Sequence, residues 1–70
     1  MKINKLGERL KDIRLEKGLD QKTLAISLNT SQTNVSRWEN GKFEPDLDTL
    51  IKIARFFNVS TDYILGLTDF

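Results

Sequence analysis

Gly18, Asn29, Asn40-Gly41, Asn58 and Gly66 cut this 70-residue chain into short stretches, and that punctuation limits the fold more than any other feature. Glycine, and to a lesser degree asparagine, enters the left-handed conformation that ends a helix. Four of the stretches also begin with a start signal. Asp20, Ser31, Asp46 and Ser60 each carry a short side-chain oxygen able to accept from the free amides of a following helical turn. No alternating apolar-polar run of strand type lies between them. The expected fold is all-α, a compact five-helix bundle with segments over about 5–17, 21–28, 32–39, 47–57 and 61–65, forming one domain over 1–70.

The apolar spacing supplies a core for each segment. Leu6, Leu10 and Ile13 give the first a single apolar face, with Glu8, Lys11, Asp12 and Arg14 on its polar side. Leu24, Ala25 and Leu28 form the stripe of the second, and Val35 and Trp38 anchor the third. Leu47, Leu50, Ile51, Ile53, Ala54 and Phe57 are the apolar positions of the fourth.

Composition narrows the chemistry. The chain has no cysteine and no histidine, which removes disulfides, thiolate metal sites, the commonest metal ligand and the usual general base. The serines have no histidine partner. Asp46 and Asp48 read as a cap and a first-turn acid rather than as metal or catalytic carboxylates. An enzyme is not expected, nor a cofactor, a metal or a small-molecule ligand. No apolar run approaches the roughly 20 residues that span a bilayer, and the N-terminus lacks the apolar stretch of a secretory signal. A cytoplasmic protein without membrane contact is the expectation. Net charge is only +1, but residues 1–37 carry eight Lys/Arg against four Asp/Glu, and residues 38–70 carry three against six. Lys2, Lys5, Lys11 and Lys17 read as solvated, yet a basic front half suits a polyanionic partner.

Segments two and three are short helices joined by a tight turn, the arrangement of a helix-turn-helix. Ala25 is small enough to let the two cross closely. With Val35 and Trp38 facing inward, Gln32, Thr33, Ser36 and Arg37 face outward, and Asn34 sits near the edge. Solvent faces are usually dense in Glu and Lys, whereas this one lacks a carboxylate until Glu39. Glutamine can pair with adenine, arginine with guanine, and a threonine methyl can pack on the thymine methyl in the major groove.

The run "LDQKTLAISLNTSQTNVSRWENGKFEPDLDTLIKIARFFNVSTDYILG", residues 19–66, resembles the helix-turn-helix family of phage repressors and Cro-like regulators (the XRE family). The upstream "LGERLKDIRLEKG" resembles the first helix of that family. The resemblance implies a five-helix lambda-repressor-like domain that binds a two-fold symmetric operator in double-stranded DNA as a homodimer, most often as a repressor. It places Gln32, Thr33, Ser36 and Arg37 at base-reading positions, and Gln21, Asn40 and Lys42 on the phosphate backbone. Ser31 and Asn34 complete the candidate phosphate set. Arg14 and Glu39 match a structural ion pair between the first and third helices. Departures are Asn29 where glycine is common, Thr33 where many relatives carry glutamine, and Trp38 at an often aliphatic position.

The last fifteen residues hold more apolar side chains than so small a bundle buries well. Phe57, Tyr63 and Leu65 are expected in the core, while Phe56, Ile64, Leu67 and Phe70 are candidates for a dimer interface. A rival reading makes the chain an antitoxin-like protein-interaction module, or the DNA-binding part of a larger regulator.

Overall fold

A computed structural model describes residues 3–69. It contains α1 (Leu6–Glu16), α2 (Gln21–Ser27), α3 (Gln32–Glu39), α4 (Leu47–Phe57) and α5 (Thr61–Leu65), with no strand among the described residues. The helix ends follow from local chemistry. Asp20 accepts from the Thr23 amide at 2.7 Å, Ser31 from Asn34 at 3.1 Å, Asp46 from Thr49 at 2.8 Å and Ser60 from Tyr63 at 3.0 Å. Each bond satisfies a backbone donor that has no partner within its helix. α1 lacks such a residue at Lys5; Asn4 Oδ1 instead accepts from Leu6 N at 3.1 Å. Asn29 (φ 57°) and Asn58 (φ 55°) take the left-handed conformation as the sequence predicts, asparagine tolerating it through local hydrogen bonding.

Leu10, Leu24, Val35, Ile53 and Ile64 are fully buried and form the centre of the bundle, with Leu6, Ile13, Ala25, Leu28, Trp38 and Phe57 around them. Three expectations are corrected. Ile64 is not an interface residue: it is 0% exposed, because the five-residue α5 has room for one inward position and Ile64 occupies it, flanked by half-buried Tyr63 and Leu65. Arg14 does not lie on a polar face but is buried beside Glu39. Leu47 and Ile51 are 77% and 44% exposed, since α4 presents Leu50, Ile53, Ala54 and Phe57 to the core. Of the other interface candidates, Phe56 and Leu67 are exposed and Phe70 lies outside the described residues.

Two close contacts tie α1 to its neighbours. A Cβ on Gly7 would lie 2.7 Å from the carbonyl oxygens of both Trp38 and Glu39, so α1 can approach the end of α3 only because residue 7 has no side chain. At the other end of the chain, Lys5 N donates to Leu65 O at 3.0 Å, joining the approach to α1 to the end of α5. The Trp38 indole N–H is buried without a hydrogen-bond partner among the described residues, while its ring fills the core.

Candidate nucleic-acid interface

α3 divides its residues cleanly between two jobs. Val35 and Trp38, three apart, are buried, while Gln32, Thr33 and Arg37 are exposed and Ser36 is half-buried on the opposite side. Gln32, Thr33, Ser36 and Arg37 join Gln21 from the start of α2, and Asn40 and Lys42 from beyond α3, in lining one open concavity of about 460 Å³. Seven of the nine residues expected to touch DNA therefore share one surface. None of its lining residues is acidic, and Arg37 and Lys42 are cations.

The carboxylate that ends α3 is turned inward. Glu39 accepts from Arg14 Nε at 2.6 Å and from Arg14 Nη2 at 3.0 Å, a bidentate pair that is almost wholly buried. The hydrogen bond to Glu39 holds the Arg14 guanidinium above its ordinary pKa, outweighing the opposing effect of burial. Arg14 Nη1 also donates to Leu19 O at 2.8 Å. Glu39 Oε1 takes a further hydrogen bond from Gln21 Nε2 at 3.1 Å. One buried carboxylate thus fixes α1, the start of α2 and the end of α3, and orients a side chain of the concave surface. The sequence predicted the pairing of Arg14 with Glu39 only by resemblance. The resemblance likewise gave Gln21 a part in supporting the third helix, and its bond to Glu39, the last residue of α3, supplies that support.

The remaining expected contacts lie at the edges. Ser31 is exposed at the start of α3, and its hydroxyl can still donate outward while accepting from Asn34 N. Asn34 is half-buried and donates through Nδ2 to Thr30 Oγ1 at 3.0 Å, bracing the turn between α2 and α3. At the far end of α3, Gly41 (φ 72°) lets Gly41 N reach Trp38 O and Lys42 N reach Arg37 O, which carries Lys42 back to the concavity.

A profile of the helix-turn-helix family matches residues 10–64. The chain belongs to that family, in its XRE branch of phage-repressor-like regulators. Among helix-turn-helix relatives, the transcriptional regulator ImmR of Bacillus subtilis is 48% identical over 61 residues, covering 87% of this chain and 48% of its own. The prophage-derived regulator YonR of the same species is 44% identical over 59 residues, covering 84% of this chain and 55% of its own. This chain therefore spans about half the length of these curated relatives. The P22 c2 repressor protein, solved in complex with a synthetic operator, superposes with a TM-score of 0.82 at 28% identity, covering 86% of this chain and 91% of that one. A transcriptional regulator from Listeria innocua gives 0.85 at 30% identity over 90% of this chain and 59% of its own. No helix among the described residues is long and apolar enough to cross a membrane.

Proposed function

We propose that the chain is the operator-reading unit of a transcriptional repressor, which binds a two-fold symmetric site in double-stranded DNA as a homodimer with α3 in the major groove. The observation that carries this reading is the concave surface: seven hydrogen-bonding or cationic side chains converge on it, and no carboxylate lines it. Gln32, Thr33, Ser36 and Arg37 are assigned to base edges. Gln21, Ser31, Asn40 and Lys42 are assigned to phosphates, and Asn34 is reassigned to bracing the turn. The P22 c2 repressor protein, which this chain resembles in structure, is solved in complex with a synthetic operator, and that supports DNA as the partner. Cytoplasmic action on DNA and the absence of enzymatic turnover belong to this reading.

Selection from random duplexes followed by binding titrations tests it. Arg37→Ala should weaken the selected site by about 1–3 kcal/mol and relax preference at one base pair. Lys42→Ala should weaken all sequences alike and reduce the salt slope by about one. Equal, sequence-independent losses in both variants would refute the division between reading and anchoring, and no enrichment of any duplex would refute the function.

A further inference from the structure

The outer flank of α4 sets exposed apolar residues beside charges of opposite sign. Leu47 and Ile51 stand one turn apart and are 77% and 44% exposed. Asp48 and Arg55 are exposed beside them, and neither side chain has a hydrogen-bond or ion-pair partner among the described residues. On a 3.6-residue helix, Leu47, Asp48, Ile51 and Arg55 fall within about one-third of the circumference.

We propose that α4 packs antiparallel against α4 of a second copy of this chain, about a two-fold axis beside Ile51. The symmetry follows from the spacing. The midpoint between Asp48 and Arg55 falls next to Ile51, so an axis there sets each Asp48 against the copy's Arg55, twice per dimer. Ile51 meets its own counterpart, and Leu47 lies along the aliphatic stem of the copy's Arg55. Opposite charges face each other across an apolar centre, whereas a parallel pairing sets like charges together.

Size fits this occupant. The domain measures 27 × 25 × 21 Å, and two α3 helices reading successive major grooves stand about 34 Å apart. Two copies on one face of DNA therefore come within touching distance. An 11-residue helix pair buries less than the roughly 1,200 Å² of a stable interface. The contact is accordingly weak in free protein and gains strength when DNA holds both copies. This inference rests on the dimeric reading above but is tested without DNA.

The natural absence of cysteine permits a clean test by oxidative cross-linking. Ile51→Cys should link to its own copy, because the two positions flank the axis. Leu47→Cys should link at least about tenfold more slowly, since its counterpart lies on the order of 13 Å away along the helix, beyond disulfide reach. In the Ile51→Cys background, Asp48→Arg or Arg55→Asp alone should slow linking by about tenfold, and the two together should restore it. Equal rates for the two cysteine positions, or no recovery in the double reversal, would overturn the proposal. Adding Arg37→Ala should leave linking unchanged while DNA affinity falls, so the two readings fail separately.

Discussion

Gly7 determines how deeply α1 can settle against the end of α3. A methyl there meets two backbone carbonyl oxygens at 2.7 Å, and backbone cannot rotate away as a side chain can. Gly7→Ala should therefore cost roughly 1–3 kcal/mol despite alanine's better helix propensity. Urea unfolding should show a lower midpoint at unchanged slope. Nothing near Gly7 in the sequence announced this, because its partners are residues 38 and 39 and close approach depends on how two helices cross. Arg14 was misplaced by periodicity for a related reason. Its position on α1 borders the apolar face, and only a buried carboxylate from another helix makes burial of the guanidinium tolerable.

At the level of elements, the caps made most of the fold legible. A short oxygen-bearing residue followed by apolar spacing marks a helix start through interactions within one turn, so no tertiary knowledge is needed at Asp20, Ser31, Asp46 or Ser60. Burial within a helix is less legible: Leu47 and Ile51 match the pattern of α4 but lie on the flank that its neighbours leave uncovered. The two acidic caps also carry a pH signature. Hydrogen bonds from Thr23 hold the Asp20 carboxyl below its ordinary value, and those from Thr49 do the same for Asp46. A carboxyl whose pKa is lowered by folding stabilises the native state above its unfolded value of about 3.9, and that stabilisation is lost as pH falls through the lower folded value. Thermal unfolding of an Asp20→Ala/Asp46→Ala variant should thus show a lower Tm at pH 7, with the difference from the parent shrinking below about pH 4.

For the whole molecule, closure depends on joining the two ends of the described chain. Arg9 lies 4.6 Å from the Tyr63 ring centroid, donates to Thr68 O at 3.2 Å and approaches Asp69 at 3.4 Å. Arg9→Ala should speed amide hydrogen exchange in residues 66–69 while leaving affinity for the selected DNA site unchanged; slower or unaltered exchange there would deny Arg9 that role. The candidate interface was legible in outline because a helix that faces both core and solvent writes both faces into eight consecutive residues. That interleaving along α3 also has an evolutionary consequence. Val35 and Trp38 answer to the bundle, and Gln32, Thr33 and Arg37 answer to whatever lies in front of it, so the second set can drift without the first. A lineage built on this frame can change its vocabulary while keeping its grammar.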